Sequence, residues 1–170
     1  GNSGTLTNGP TWQTSSSCKQ GGCLSFDGSN TINNQTVTVT VGSTNPELSI
    51  LGNVAVMLWL KPSSSYFDTA EAALRNGQGA DLEYSVFYAA TQNYPYFHWY
   101  DGAFKQVNGT NGTVPFNQWS HVAIVRSGLT VSFYVNGAFT NSVSVTAPTV
   151  AAGQLAIGRT NNAAVAQDFS

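Results

Sequence analysis

The chain has very little charge: only 8% of its 170 residues are Asp, Glu, Lys or Arg. Soluble domains average about 25%, so Ser, Thr, Asn, Gln and Gly must supply most of the polar surface. Six basic and eight acidic residues leave a formal net charge of −2. Because no basic stripe is present to neutralise phosphates, we expect no nucleic-acid partner. A polar but uncharged surface suits an extracellular or cell-surface protein, and we expect that location.

Long apolar runs are also missing. No stretch approaches the roughly 20 residues that a membrane-spanning helix needs, so we expect no membrane insertion by this segment. The chain opens in a polar segment rather than in a charged and then apolar leader. With 170 residues and 41% hydrophobic content, the chain is long enough to bury a sizeable core, and we expect residues 1–170 to form a single domain.

Cysteine is scarce: the chain contains only Cys18 and Cys23, separated by four residues. Such a pair supplies half of a metal site, but no second Cys or His pair completes it, since the only histidines are His98 and His121. An extracellular setting favours a disulfide instead. We therefore predict a Cys18–Cys23 disulfide that closes a short loop.

Residues 119–137 carry the clearest structural pattern. Apolar and polar side chains alternate with period two over 120–126 and again over 129–135, which is typical of antiparallel strands. Asn136-Gly137 suits a type I′ turn, because both central residues of that turn take positive φ. We predict two paired strands here and a third strand that starts at Ala138.

Alternating or continuous apolar runs predict further short strands, and no long helical pattern interrupts them. The predicted strands lie at 23–26, 36–41, 54–60, 71–75, 81–89, 94–100, 104–107, 142–145 and 154–157. Many short strands between Gly, Pro and Asn turns indicate an all-β fold, an antiparallel two-sheet β-sandwich. Residues 54–60 are apolar on both faces, which predicts a central strand covered on both sides. Trp12 and Trp59 are expected in the core.

Five segments resemble the laminin-G-like, concanavalin-A-like jelly rolls. The sequences WSHVA at 119–123 and YVNG at 134–137 match the W-x-H-V-A and Y-V-N-G motifs of that family. LSFDG at 24–28, WLKP at 59–62 and LAIG at 155–158 follow the order of the family. The resemblance implies the jelly-roll form of the sandwich. It also implies that Trp119 and His121 belong to the structural frame.

Family members carry a strand before and another after the segment seen here. The resemblance therefore implies a fragment of a longer surface or secreted protein. Strand edges left without a partner would allow self-association, because unpaired backbone groups pair readily with another chain.

Residues 94–101 form the most aromatic stretch of the chain. Alternation sends Phe97 and Trp99 to one face, which we expect in the core, and a row of rings with polar tips to the other. Such rings suit the apolar face of a sugar while its hydroxyl groups find hydrogen-bond partners. The same rings would equally serve to cover the sheet, because aromatic residues are common in any sandwich. The candidate ligand-binding residues, including those expected on neighbouring strands, are Tyr94, Tyr96, His98, Tyr100, Asp101, Arg75, Asn76, Asp81 and Glu83.

Jelly-roll lectins often hold Ca²⁺ through carboxylates, amide oxygens and carbonyls. The resemblance implies Asp27, Asn30 and Asp168 as candidate ligands of a calcium ion. Asp27 also fits a plain structural role, in which it caps the turn before Gly28 through backbone hydrogen bonds. Both interpretations remain open at the level of the sequence.

Enzymes that share this fold hydrolyse glycosidic bonds with two carboxylates, about 5–5.5 Å apart in retaining enzymes. Laminarinase-type members carry them alternately along one strand, as E-x-D-x-E. The nearest match here is Asp81-Leu82-Glu83, and Gly79 stands where the other Glu belongs. No G-x-S-x-G motif offers a nucleophile either. We predict that the chain is not an enzyme.

Three Asn-x-Thr sequons begin at Asn34, Asn108 and Asn111, and they are candidates for N-glycosylation. Taken together, the observations favour a non-catalytic extracellular recognition module that binds carbohydrate. The alternative is a structural or adhesive module of a surface fibre or pilus-like assembly, and a glycoside hydrolase ranks third. The expected partner is a glycan or a surface protein.

Overall fold

The computed structural model describes residues 3–26, 36–40, 46–63, 71–77, 79–149 and 154–158. Within these ranges the chain forms strands and two short 3₁₀ helices, Pro46–Leu48 and Gly79–Asp81. No helix in this part of the chain is long and apolar enough to cross a membrane. The strands are β1 (Thr5–Thr7), β2 (Thr11–Gln13), β3 (Cys23–Ser25), β4 (Thr36–Thr40), β5 (Val54–Leu60), β6 (Glu71–Asn76), β7 (Tyr84–Ala89), β8 (Tyr94–Tyr100), β9 (Phe104–Asn108), β10 (Ser120–Ser127), β11 (Thr130–Val135), β12 (Ala138–Ser144) and β13 (Gln154–Ile157).

Two antiparallel sheets form the body of the fold. The larger has seven strands in the order β1-β4-β13-β6-β7-β8-β9, and the smaller has four in the order β12-β11-β10-β5. Alternate side chains of both sheets meet in one core that includes Val86, Phe97, Ile124 and Phe133. The predicted all-β, two-sheet antiparallel sandwich is confirmed, and the strand content is consistent with a jelly roll.

The predicted meander forms most of the four-stranded sheet. Strands β10 and β11 pair from Val122↔Val135 to Ser127↔Thr130, and β12 pairs with β11 on its other side. Asn136 and Gly137, which join β11 to β12, have φ of 52° and 81°. These values fit the positive φ that a type I′ turn requires at both central residues. The turn chemistry of the sequence therefore identified the third strand correctly.

The prediction that residues 54–60 form a central strand was wrong. Among the described strands, β5 pairs only with β10 and lies at the edge of the four-stranded sheet. Val54, Val56 and Leu60 are buried in the core, whereas Met57 and Trp59 lie on the solvent side, and Trp59 is 43% exposed. Trp12, also expected in the core, is 67% exposed. The second apolar face of β5 is therefore not covered by another layer. It faces solvent and is available for contact.

The strand predicted at 81–89 begins later than expected. Residues Gly79–Asp81 form a 3₁₀ helix, and β7 starts at Tyr84. Between them the Glu83 N–H donates a hydrogen bond to the Asn76 carbonyl at 3.0 Å, which connects this segment to the end of β6. Asp81 therefore lies on this 3₁₀ helix, and its side chain does not follow the alternation of β7.

The predicted disulfide is confirmed: Cys18 and Cys23 are bonded, with S–S 2.11 Å. Cys23 opens β3 and stands opposite Gln13 of β2. Cys18 lies in the loop between the two strands, so the bond connects this loop to the base of a two-stranded hairpin.

Candidate functional site

The seven-stranded sheet has an inner face, which packs on the four-stranded sheet, and an outer face. The residues of β8 divide between them as the alternation predicts. Phe97 and Trp99 lie in the core between the sheets. Tyr94, Tyr96, His98 and Tyr100 lie on the outer face, where Tyr94 and Tyr96 join Ala72, Phe87 and Ala89 in a second apolar cluster. The row of rings singled out from the sequence therefore exists as one row.

Half of this row is buried. Tyr94 and Tyr96 retain 8% and 3% of their accessible surface. The Tyr96 ring stacks on Phe87 with a centroid distance of 5.2 Å, and the His98 ring lies 4.8 Å from Tyr96. His98 and Tyr100 are only partly buried. The accessible end of the row therefore carries His98 and Tyr100, and the buried Tyr94 and Tyr96 lie behind it.

Strand β9 extends the accessible part of the outer face. Gln106 stands opposite His98, and Phe104 stands opposite Tyr100. The Gln106 side chain hydrogen-bonds His98 Nε2 at 2.8 Å and donates to Asn108 Oδ1 at 2.7 Å. Phe104, Gln106 and Asn108 are all exposed. Rings and amide groups thus lie side by side on solvent-facing strands.

Arg75 lies on the same face, in register with His98. The pairing of β6, β7, β8 and β9 aligns Arg75 with Ser85, Ser85 with His98, and His98 with Gln106. The Ser85 hydroxyl donates to the His98 carbonyl at 3.2 Å and accepts from the His98 N–H at 3.1 Å. Gln106 is exposed and His98 is partly buried, whereas Ser85 and Arg75 are 0% and 6% exposed.

The electrostatics of the face favour a neutral His98. Burial lowers the pKa of His98 below its usual value, the hydrogen bond with Gln106 opposes that shift, and the positive charge of Arg75 lowers the pKa further. At neutral pH the imidazole therefore offers one donor and one acceptor nitrogen.

Asp101 follows directly after β8. Its carboxylate accepts a short hydrogen bond from the Thr146 hydroxyl, and Lys105 Nζ lies 3.6 Å from Oδ1. The hydrogen bond from Thr146 is the largest of the effects that lower the pKa of Asp101. Asp101 is therefore ionised at neutral pH, and Lys105 balances its charge.

Glu83 and Asn76 are not part of the outer face. Glu83 is 0% exposed, and its carboxylate accepts hydrogen bonds from Ser49 Oγ at 2.5 Å, the Ile50 N–H at 3.0 Å and Asn76 Nδ2 at 2.9 Å. These contacts attach the loop before β5 to the sheet.

Tyr84 holds the same loop. Burial and the nearby Glu83 carboxylate raise the pKa of Tyr84 to about 12. Its hydroxyl therefore stays protonated and donates to the Leu48 carbonyl at 2.9 Å.

Asp81 and Glu83 therefore do not face each other across a cleft. Asp81 is exposed on the 3₁₀ helix, whereas Glu83 is enclosed by the loop at 49–50. Of the nine ligand candidates, five lie on the outer face of the sheet: Tyr94, Tyr96, His98, Tyr100 and Arg75. Asp101 lies at the end of the same strand.

The sequence did not indicate a cleft that lies away from the outer face. A cleft of about 510 Å³ lies between the disulfide hairpin and the end of β5. Trp59 and Trp119 line it together with Lys61 and Lys19, and Lys19 Nζ lies 4.9 Å from the centroid of the Trp59 ring. The His121 ring meets Trp59 edge-on at 5.2 Å. Because Trp59 was expected in the core, the sequence did not reveal this cleft. Lys61, two residues later and facing solvent, could have indicated that this side of the strand is exposed.

The calcium candidates Asp27, Asn30 and Asp168, and the sequon at Asn34, lie outside the described residues. Within the described ranges, no group of three His, Cys, Asp or Glu side chains is placed to hold a metal ion. Asn108 and Asn111 are exposed at the end of β9 and in the following turn. Calcium binding and glycosylation remain predictions.

A family model of the laminin G type, described as the concanavalin A-like lectin/glucanases superfamily, matches residues 24–170. No curated protein matches the chain.

Several solved structures share the fold. The CBM40 domain of a Ruminococcus gnavus sialidase, bound to α2,3-sialyllactose, superposes with a TM-score of 0.60 at 11% identity, covering 74% of each chain. The receptor-binding domain of botulinum neurotoxin mosaic serotype C/D gives 0.68 at 13% identity, over 98% of this chain and 41% of that one. The binding domain of botulinum neurotoxin DC, in complex with rat synaptotagmin II, gives 0.62 at 13% identity, over 92% and 38%. The chain thus spans about two fifths of the toxin domains, and identities this low show the fold alone.

Proposed function

Since the chain belongs to the concanavalin A-like lectin/glucanase superfamily, we propose that it is a non-catalytic extracellular module that binds carbohydrate on the outer face of the seven-stranded sheet. The observation that carries this proposal is the exposed end of that face. There the rings of His98, Tyr100 and Phe104 lie beside the side-chain amides of Gln106 and Asn108.

This combination suits the chemistry of a sugar. A pyranose ring has an apolar C–H face that packs against aromatic rings, and its hydroxyl groups need both donors and acceptors. A neutral His98 and the amide side chains supply both kinds of group without a net charge. Tyr96 and Phe87, stacked behind His98, hold the platform in place, and such support preorganises a binding surface.

The position of the acidic residues supports a binding role over a hydrolytic one. A glycosidase needs two carboxylates on either side of the scissile bond. In this chain the Glu83 carboxylate is used to hold the loop before β5, and Asp101 is engaged by Thr146 and Lys105. Asp81, exposed on its 3₁₀ helix, has no carboxylate partner across the outer face among the described residues.

Proteins with a similar fold also support a binding role. The sialidase CBM40 domain is a binding module seen with a bound oligosaccharide, and the toxin domains are receptor-binding domains. The disulfide fits an extracellular setting, where such bonds persist.

Replacing Tyr100 by Ala tests the proposal. On a glycan array the wild-type protein should bind a defined set of glycans, and Tyr100→Ala should weaken that binding by about tenfold, which corresponds to about 1.4 kcal/mol. Tyr134→Ala is the matched control, because Tyr134 is a partly exposed tyrosine on the other sheet. Both variants should keep a melting temperature near that of the wild type. Absence of glycan binding by the wild-type protein, or equal losses in both variants, would contradict the proposal.

A second candidate is an adhesive module that associates with another copy of itself. The observation that favours it is the solvent face of the four-stranded sheet, where the register aligns Met57, Ala123, Tyr134 and Phe139 in one row across all four strands. Met57 and Phe139 are exposed. Continuous apolar surface of this kind commonly marks an interaction site, and a net charge of only −2 opposes contact between copies very little.

Sedimentation velocity over a range of concentrations tests this second candidate. The wild type should form a dimer as its concentration rises, and Met57→Lys should remain monomeric because it places a charge in the middle of the row. Leu129→Lys, at an exposed apolar position in the β10–β11 turn, should dimerise as the wild type does. A wild-type protein that stays monomeric throughout would exclude the candidate.

A further inference from the structure

The cleft between the disulfide hairpin and the end of β5 has the size of a binding site for a small molecule. Its volume of about 510 Å³ falls in the range of roughly 300–1,000 Å³ that ligand pockets occupy. Lys61 directly follows β5, and Trp119 directly precedes β10, which pairs with β5. The side of the cleft that carries Trp59, Lys61 and Trp119 is therefore held by two hydrogen-bonded strands.

The buried part of the cleft lining is apolar. Leu60 and Ala73 are each 4% exposed, and four partly buried apolar residues continue this surface: Leu24, Phe26, Leu58 and Ile157. Among the partly buried lining residues that the structure describes, Gln13 alone carries an amide or hydroxyl group, and its Nε2 already donates to the Thr11 hydroxyl at 2.9 Å. Hydroxyl groups of a ligand would lose water here without gaining partners, which costs free energy. The cleft therefore favours an apolar ring over a sugar ring.

Two tryptophans supply flat rings beside this apolar surface. Trp59 is 43% exposed and Trp119 is partly buried, so both side chains have surface that a ligand can contact. The His121 ring meets Trp59 edge-on at 5.2 Å and supports it from the neighbouring strand. Aromatic rings pack favourably on one another in offset-stacked or edge-to-face arrangements, so a planar aromatic ring suits this part of the cleft.

The rim of the cleft is positively charged, although the chain as a whole has a net charge of −2. Lys19 and Lys61 are exposed residues of the lining, and Lys19 Nζ lies 4.9 Å from the centroid of the Trp59 ring. Within the described ranges, neither ammonium group forms an ion pair or a hydrogen bond. No Asp or Glu is among the described residues of the lining.

These two lysines are the basic side chains that remain available in the described part of the chain. Arg75 and Arg126 are buried, at 6% and 2% exposed, and Lys105 is paired with a carboxylate. Both remaining cations line one cleft, which is therefore complementary in charge to an anion. The Cys18–Cys23 bond closes the loop that carries Lys19, and restraint of a binding loop lowers the cost of ordering it around a ligand.

We propose that this cleft binds small aromatic anions, in which a planar ring carries a carboxylate or a sulfonate group. The ring packs against Trp59 and Trp119 over the apolar lining. The acidic group lies at the rim, where the ammonium groups of Lys19 and Lys61 donate charge-assisted hydrogen bonds to it. This site is separate from the outer face of the seven-stranded sheet and does not depend on carbohydrate binding there.

Titration followed by ¹H–¹⁵N NMR tests the proposal, because each of the four tryptophans gives an indole N–H signal that Trp→Phe variants assign. Indole-3-acetate at low salt should shift the signals of Trp59 and Trp119. The signal of Trp99 should stay unchanged, because Trp99 is 3% exposed and its indole donates to Thr146. Indole-3-acetate should bind at least fivefold more tightly than neutral indole-3-acetamide, and at least fivefold more tightly than glucuronate, which has the charge without the aromatic ring.

Two pairs of variants separate the charge from the rings. The double variant Lys19→Met, Lys61→Met should bind the acid and the amide equally, whereas Lys105→Met, which removes a charge on β9, should keep the full preference. Trp59→Ala should weaken the binding of both indoles at least fivefold. Trp12→Ala removes a tryptophan that is 67% exposed and lies outside the described lining, and it should change the affinity less than twofold.

Three results would overturn the proposal. The first is that the indole signals of Trp59 and Trp119 do not shift, and the second is that the preference for the acid survives in the double lysine variant. The third is that glucuronate binds as tightly as indole-3-acetate, which would assign the cleft to acidic sugars. The wild-type shifts and the lysine variants decide the question even if Trp59→Ala does not fold.

Discussion

Replacing Arg126 by Met should lower the free energy of unfolding by about 3–5 kcal/mol, the range seen when one partner of a buried charged network is removed. Arg126 is 2% exposed at the end of β10. Its Nε and Nη2 atoms donate to the Gly52 carbonyl at 2.9 and 2.5 Å, and Nη2 also donates to Ile50 at 2.9 Å. Met fills a similar volume but leaves these buried carbonyls without their donor.

The loss should spread beyond the single side chain, because Glu83 holds the same loop from the other side. The Glu83 carboxylate accepts from the Ile50 N–H, while the Ile50 carbonyl accepts from Arg126. The N–H and the carbonyl of Ile50 are thus fixed by two long-range side chains, Glu83 just before β7 and Arg126 on β10. Chemical denaturation with guanidinium chloride measures the effect through the midpoint at constant slope.

Arg75→Met is the matched control for this prediction. Arg75 is also buried, but its one described hydrogen bond is to Gly77, so its replacement should change the free energy of unfolding by only about 1 kcal/mol or less, the typical net value of one hydrogen bond. Equal losses in the two variants would contradict the distinction. They would mean that Arg75, like Arg126, serves the fold.

Replacing Gly158 by Ala should destabilise the protein by about 2–5 kcal/mol, the sum of backbone strain and overpacking. Gly158 has φ of 88°, in the left-handed region that side chains disfavour. A Cβ atom at this position would lie 2.1 Å from Cε1 of the Phe26 ring, so the ring or the backbone must move. Because Gly158 follows β13 and Phe26 follows β3, the contact joins the disulfide hairpin to the seven-stranded sheet.

Gly137→Ala separates the two causes. Gly137 has a similar φ of 81°, but nothing lies within 4 Å of its added Cβ, so this variant should lose only the strain of about 1–2 kcal/mol. Differential scanning calorimetry of both variants gives the difference. A Gly158→Ala protein no less stable than Gly137→Ala would show that Phe26 moves aside freely.

Much of the fold follows from local patterns in the sequence. Period-two alternation located β10 and β11, and Asn136-Gly137 located the turn to β12, because strand faces and turn dihedrals depend on neighbouring residues alone. The same reasoning assigned Phe97 and Trp99 to the core correctly. The missing second Cys or His pair and the expected extracellular setting predicted the Cys18–Cys23 disulfide, which is present.

The errors share one physical cause. Alternation shows which residues share a face, but it does not show what lies opposite that face. Trp59 and Met57 therefore read as core residues, although β5 is at the edge of its sheet among the described strands and its second face meets solvent. The same limit applies to Tyr96, which was expected to meet a ligand and lies 3% exposed beneath its neighbours.

The candidate site was predictable only as a set of residue types. The sequence indicated Tyr100, His98 and Arg75, but their alignment depends on the register of β6, β7 and β8, which arises from pairing across the whole sheet. Glu83 shows the opposite outcome. The carboxylate of Glu83 suited a ligand site, yet its long-range hydrogen bonds with Ser49 and Ile50 place it in the interior.

The contrast in burial across the outer face has a consequence for which of its positions can vary. Phe104, Gln106 and Asn108 are exposed on the last strand of the sheet, where substitutions usually change stability by less than about 0.5 kcal/mol. Ser85 and Arg75, on strands further into the sheet, are 0% and 6% exposed. Variation of the three β9 positions can therefore change the chemistry of the exposed surface without loosening the buried part of the sheet, so this edge of the domain can diverge faster than its interior.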